Sequence, residues 1–345
     1  MCVGAGMSSS RIRVGIIGMG GMGSEHALNI SEMSNAVVTM LSDVDEQRMQ
    51  VLRDRIDGVC CVSDPYLLIE SDTVDAIVIA SPDDTHAAYV LRSLELMKPV
   101  FCEKPLATGI ADALHIIEAE THIGSKMVSL GFNRHFDPAH YAMKRSIEKR
   151  VAGKPLLWKG YHRNAEAMYT TDGAFLLNNS GGHDVDSARW LLESEVSAVH
   201  AWGIRSRDDL PPGSQDLLCM TLEMENGTRA LAEIFVNARY GYEVGAEVVC
   251  QEGVVTLPLR ESLVIRNANT RSVVISDDFR AYFSSSYKQE IRAWVGAVQS
   301  KVPWQGADAW DGYAVMATTQ AAGRSLKHGK VEPISLISCP ELYGR

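Results

Sequence analysis

Three short stretches of this chain carry residue types that can do chemistry. "GMGGMG" (18–23) is a GxGxxG glycine run, "EKP" (103–105) sets a lysine between an acid and a proline, and "NNSGGHDVDSARWLL" (178–192) places a histidine behind two glycines. In a dinucleotide site Gly18 makes the tight turn, Gly20 lets the backbone approach a pyrophosphate, and Gly23 allows a helix to pack closely. Gly21 and Met22 open that helix, whose N-terminus favours the negative charge. Asp43 stands twenty residues beyond Gly23. Its carboxylate either bonds both ribose hydroxyls of the adenosine, which repels a 2′-phosphate and favours NAD over NADP, or caps the helix of "DVDEQRM".

Hydride transfer from an alcohol needs a base within reach of the hydroxyl and a carbon held against the nicotinamide. Lys104 ends a buried apolar run, pinned by Glu103 and the φ-restricting Pro105, and reads as an ammonium oriented beside the nicotinamide; the alternative is a solvated loop lysine. His183 is the candidate base. Val185, Ala188, Leu191 and Leu192 follow it at helical spacing, Asp184 and Asp186 occupy the expected first turn, and Ser180 is the expected N-cap. A helix N-terminus depresses an imidazole's pKa, leaving a neutral ring able to accept a proton. Taken alone, a first-turn histidine is more often a hydrogen-bonded structural residue; Lys104 and a cofactor cleft tip the reading toward a base.

The elements that must position these residues follow two periodicities. Up to about Gly131, the apolar runs "RIRVGIIG" (11–18), "AVVTMLS" (36–42), "DAIVIA" (75–80), "PVFCEK" (99–104) and "KMVSLGF" (126–132) alternate with helix-like segments. Runs this continuous predict a doubly wound parallel sheet covered on both faces, with ligands bound beyond the carboxyl ends of its strands. "SPDDTH" (81–86) and "EKP" fall on that side. Ser81 and Pro82 therefore face the cofactor, while His86 either contacts it or caps the helix that follows. After His135, partial alternation in "TRALAEIFVNARYGYEVGAEVVCQEGVVTLPL" and "RSVVISDD" predicts a large, mostly antiparallel sheet with one open face, and 285–299 and 308–328 read as helices. The expected organisation is a disordered extension (1–10), an α/β dinucleotide-binding Rossmann domain (11–132) and an α+β substrate-binding and oligomerisation domain (133–345).

Composition bounds the partners. A chain of 345 residues is too long for one ordinary core, and a net charge of −10 disfavours nucleic acid and anionic membrane surfaces. Seven cysteines, odd in number and without CxxC spacing, lie mostly in apolar runs that read as buried strand, which fits a reducing cytoplasm. No signal-like or membrane-spanning run is present. A metal site is not expected: His183 and Asp184 are adjacent and point apart, and HxH and HExxH are missing. Nothing resembles GxSxG, and Cys102 reads as buried strand rather than nucleophile.

With these residues in view, the sequence resembles the Gfo/Idh/MocA oxidoreductase family and, within it, the inositol 2-dehydrogenases. The resemblance runs from about Arg11 to Lys330 and rests on "GMGGMG", "SPDDTH", "EKPLA", "GFNRHFDPAH", "YHRN", "GGHDVDSARWLL", "EIFVNARYGYEVGAEVVCQEG" and "GADAWDGYAV". It implies NAD, a cyclic polyol or pyranose sugar as substrate, and a homodimer or homotetramer formed through the open sheet. It also implies catalysis by Lys104 and His183, and substrate contacts from Asn133, Arg134, Asn164, Ser180 and Tyr242. Each contact has a plainer alternative: Arg134 pairs with Asp137, Asn164 ends a strand, Tyr242 packs in the sheet. Departures from the family pattern are Asn179 where an aspartate is usual four residues before the histidine, Ser180 for threonine, and Asn133 for an apolar residue. Asn179 can hydrogen-bond the imidazole or a hydroxyl but cannot stabilise an imidazolium by charge. Two rival readings are a sugar-modifying enzyme that uses tightly bound NAD without net turnover, and a non-catalytic dinucleotide- or sugar-binding regulator.

Overall fold

A computed structural model describes residues 11–167, 170–258 and 263–344; the extension expected at 1–10 lies outside the described residues. The chain divides into two compact units, one of residues 11–131, 287–312 and 340–344, the other of residues 132–286 and 313–339.

In the first unit, strands and helices alternate: β1 (Ile12–Ile17), α1 (Gly21–Ser31), β2 (Ala36–Ser42), α2 (Glu46–Arg53), β3 (Cys60–Val62), α3 (Pro65–Ile69), β4 (Ala76–Ile79), α4 (His86–Glu95), β5 (Val100–Cys102), α5 (Ile110–Ile123) and β6 (Val128–Leu130). All six strands pair in parallel in the order β3-β2-β1-β4-β5-β6. The central runs are buried throughout, AIVI in β4 and VFC in β5, because helices cover both faces. Val14, Ile16, Val78, Phe101, Ile291 and Trp294 share one core, so the 287–300 helical segment completes it. The order reverses beside β1, which gives a crevice between the carboxyl ends of β1 and β4. β3 was not expected: it is a three-residue edge strand with Cys60 exposed, too short to give a periodic signal.

The second unit contains α6 (Pro138–Glu148), β7 (Pro155–Arg163), α7 (Gly173–Asn179), α8 (Gly181–Leu192), β8 (Val196–Ile204), β9 (Leu217–Met224), β10 (Arg229–Phe235), β11 (Glu243–Cys250), β12 (Val254–Thr256) and the hairpin β13 (Val264–Asn267)–β14 (Thr270–Val273). Two long helices, α9 (Phe279–Ser300) and α10 (Ala309–His328), contribute residues to both units, and β15 (Glu332–Pro333) closes the set. The seven-stranded sheet runs β12-β11-β7-β10-β9-β8-β15, antiparallel except where β10 meets β7. Alternation is strict: Leu218, Met220, Leu222 and Met224 are buried on β9 while their neighbours are half-exposed. α8 lies close on the buried face because Gly181 has no side chain; a Cβ there would stand 3.0 Å from Ile234 and 3.1 Å from Met220.

The cysteines correct an expectation. Of the six described, all free, only Cys102 and Cys250 are buried; Cys60 is exposed and Cys61, Cys219 and Cys339 are intermediate. Strand membership did not imply burial, since β3 is an edge and Cys219 points to the open face of β9.

Candidate active site

The first unit gathers its polar residues just beyond the carboxyl ends of parallel strands. Gly18 follows β1 with φ +89°, and a Cβ on it would come within 2.5 Å of Ala80 O and Ser81 N. Gly23 is tighter still, for its Cβ would lie 1.7 Å from Gly18 O. A Cβ on Gly20, in contrast, would meet nothing within 4 Å. The glycines thus divide between internal closeness and an open approach at the head of α1, where exposed Gly21 and half-buried Met22 begin the helix and the first turn holds no acid. Asp43 does not cap α2; Asp45 does, accepting from Gln47 N and Arg48 N. The carboxylate of Asp43 is instead held by Met19 N at 2.5 Å and Asp45 N at 2.8 Å, which aims it beside the glycine turn. Open glycine backbone, an uncompensated helix N-terminus and an oriented acid fit a dinucleotide with a free ribose 2′-hydroxyl.

Beyond β4, Ser81 bonds Thr85 Oγ1 through its hydroxyl at 2.7 Å and Pro82 is exposed. His86 neither caps α4 nor offers a ring nitrogen outward. It is buried, with Nδ1 2.7 Å from Pro105 O and Nε2 2.9 Å from Ser81 O, and a neutral ring donates to one of the two carbonyls. Beyond β5, Glu103 pairs with buried His26 at 2.8 Å. Lys104 is half-buried, and desolvation holds its ammonium below the ordinary lysine range against smaller opposing effects of Glu103 and Asp83. An ammonium so tuned gives up or shares a proton with a developing oxyanion more readily than a surface lysine.

The second unit gathers the other candidates around α8. His183 is the one residue of 181–189 that is not buried. Its ring stands edge-on to Phe132 (centroids 5.7 Å apart) and near His162 (6.3 Å). The expected free helix start does not hold: α7 ends at Asn179, Ser180 has helical dihedrals (φ −81°, ψ −45°) and makes no side-chain cap, and α8 begins at Gly181. At this junction His183 N bonds Ser180 O and Ser180 N bonds Leu176 O. Helical backbone through the junction sets half-buried Asn179 one turn before His183. Only Asp184 is in the first turn; Asp186 lies further along and binds His135 at 3.0 Å.

Arg134 pairs with Asp184, not Asp137. Its Nη1 donates to Asp184 Oδ1 at 2.7 Å and to His183 O at 3.2 Å, both side chains being buried, while Nη2 has no partner among the described residues. Burial pushes the Asp184 carboxyl up, against the pull of Arg134. Asp137 caps α6 and holds His140 at 2.7 Å. Asn133 is buried, and one N–H of its amide donates to Ser286 Oγ at 3.0 Å. Asn164 sits one residue past β7, its Oδ1 buried with no hydrogen-bond partner among the described residues. Tyr242, buried just before β11, shares a 3.2 Å hydrogen bond with His162 Nε2 and packs edge-on to Tyr282 at 5.3 Å. His162 itself was not singled out in the sequence, although its place on the buried face of β7 with Trp158 and Gly160 was readable from alternation. His26 was missed in the same way, three residues after Gly23 among buried Ala27 and Ile30. No group of acids, histidines and cysteines fit for a metal occurs among the described residues, and no helix there is long and apolar enough to cross a membrane.

Comparison with known proteins gives the arrangement its relatives. Residues 12–132 match the oxidoreductase family with an NAD-binding Rossmann fold, and residues 140–256 match the GFO/IDH/MocA C-terminal domain. An inositol 2-dehydrogenase from Rubrobacter xylanophilus is 38% identical over 98% of this chain and 97% of that protein. Inositol 2-dehydrogenase 2 of Saccharopolyspora erythraea is 38% identical over 96% of this chain and 98% of its own length. Among solved structures, myo-inositol dehydrogenase from Lactobacillus casei in complex with NAD(H) and myo-inositol superposes with a TM-score of 0.91 at 28% identity, covering 96% of this chain and 99% of that one. The chain belongs to the Gfo/Idh/MocA family of NAD-binding oxidoreductases.

Proposed function

We propose that this protein oxidises one secondary hydroxyl of a cyclic polyol, an inositol isomer in the first instance and a pyranose sugar in the second, to the ketone. The first unit binds the cofactor through Gly18, Gly20, Gly21, Met22, Gly23 and Asp43, with Ser81, Pro82, Glu103 and Lys104 on the same strand-end rim; the second binds the polyol. NAD, when bound, supplies the hydride acceptor. His183 takes the hydroxyl proton. Lys104 orients that hydroxyl and stabilises the negative charge that grows on its oxygen. Asn179, one turn before His183, hydrogen-bonds the imidazole or a substrate hydroxyl, and Ser180, Asn164, Tyr242 and the unpartnered Nη2 of Arg134 supply further polar contacts. The observation that carries this reading is His183: on a stretch otherwise buried it alone is open, braced from behind by Arg134 through its own carbonyl. We further propose that the open sheet face pairs two copies of the chain. Trp202 and Leu231 are 45% and 42% exposed there, around a cavity of about 500 Å³ lined also by Tyr161, Cys219 and Glu233.

The test is a screen of inositol isomers and aldoses with NAD and with NADP, read as formation of the reduced cofactor. Turnover with at least one cyclic polyol and a preference for NAD is expected. Lys104→Met and His183→Ala should each cut kcat by about a hundredfold or more. Near-normal turnover by either variant would remove that residue from the mechanism.

A further inference from the structure

Lys104 is bracketed by two buried histidines that the chemistry above does not use. The residue before it, Glu103, accepts a 2.8 Å hydrogen bond at Oε1 from Nε2 of His26. His26 is fully buried on α1, edge-on to Phe101 with centroids 5.2 Å apart, and its Nδ1 has no hydrogen-bond partner among the described residues. Its polar engagement is therefore with Glu103. Gly131 leaves the space for that carboxylate: a Cβ at 131 would stand 3.0 Å from Glu103 Oε2. The residue after the lysine, Pro105, has its carbonyl 2.7 Å from His86 Nδ1, the shorter of the two contacts of that ring, and in the Nδ1–H tautomer accepts its hydrogen bond; Nε2 stands 2.9 Å from Ser81 O. At 0% and 1% exposure neither ring can exchange a proton with a substrate. What each can do is fix a neighbour of the lysine, one from the glycine-loop helix and one from the start of α4. A lysine stem is long and flexible, so its ammonium is placed only as well as the backbone beneath it is held.

We propose that His26 and His86 are positioning residues for Lys104, one on each side, setting the ammonium where it meets the substrate hydroxyl. The proposal rests on the role given to Lys104 above, and two independent readouts separate them. The first needs neither substrate nor cofactor: competitive acylation of the full-length protein across a pH series, with Lys104 followed by mass spectrometry. In His26→Leu and His86→Leu the acylation midpoint of Lys104 should move toward that of the surface lysines, while His26→Gln, which keeps a donor for Glu103, should stay near wild type. The second is turnover. Both Leu variants should lose about tenfold to a hundredfold in kcat with little change in KM, as expected of a misplaced catalytic group, and should add no further loss in a Lys104→Met background. If His26→Leu does not fold, His26→Asn, whose amide is too short to reach Glu103, takes its place. An unchanged Lys104 acylation profile in both Leu variants overturns the bracket whatever the turnover, as does a loss that multiplies with that of Lys104→Met. Wild-type turnover in Lys104→Met overturns the mechanism instead.

Discussion

Arg134 shows how a residue can be legible as important while its structural partner is not. Its type and motif point to a substrate contact, with Asp137 as the plainer partner; the guanidinium spends one nitrogen instead on Asp184, which lies far along the chain and could not be paired with it from spacing. Breaking a buried pair leaves the partner charge uncompensated, so Arg134→Leu should destabilise the protein by about 3–5 kcal/mol in denaturant unfolding. A residue serving substrate alone would leave that curve in place. Asn133 likewise gives one donor to a residue distant in sequence, Ser286. Glycines were easier. Their tasks are set by backbone geometry within a few residues, and the tight turn at Gly18 and the open approach at Gly20 both appear as the spacing implied.

At the scale of elements, the central strands of the first unit were readable, as with Ala76–Ile79, because burial on both faces leaves an unbroken apolar signal, whereas the short edge strand β3 was not. Helix starts were less so: the α7–α8 junction passes through a helical serine, and nothing in residue type distinguishes that from a cap. One element carries a pH signature. Glu120, buried on α5, accepts from Met127 N and Val128 N and from Tyr343 Oη at 2.8 Å. Burial raises its carboxyl from 4.5 to about 7, with those three hydrogen bonds opposing. The folded state therefore holds the proton more tightly than the unfolded chain. The resulting stabilisation is complete below pH 4.5 and is lost as pH rises through about 7. Glu120→Gln keeps an acceptor and a donor but cannot ionise. Wild type should lose about 3 kcal/mol more than this variant between about pH 5 and pH 8, measured as the difference between their unfolding free energies.

For the whole molecule, the alternating pattern announced an open sheet face but not the order of its strands, since pairing across long separations leaves no local trace. The exposed apolar residues on that face give the prediction that belongs at this scale. Leu231→Glu, placing like charge opposite itself in a two-copy interface, should lower the solution mass by half or more in light scattering, with the secondary structure unchanged by circular dichroism. An unaltered mass would mean that this face is not where copies meet.

The position of β7 has a consequence for how the protein is made. It is an interior strand, lying between β11 and β10, so both of its partners come from residues 229–250, long after 155–163 has been synthesised. The first unit has a similar debt: Phe101 shares its core with Trp294. A chain growing on the ribosome therefore carries β7, with His162 and its apolar face, unpaired until residues 229–250 have followed it. The first core cannot close until Trp294 has emerged, and the second unit takes in residues as late as 339. Translation pauses or truncations upstream of that point should yield aggregating fragments rather than a stable half-enzyme.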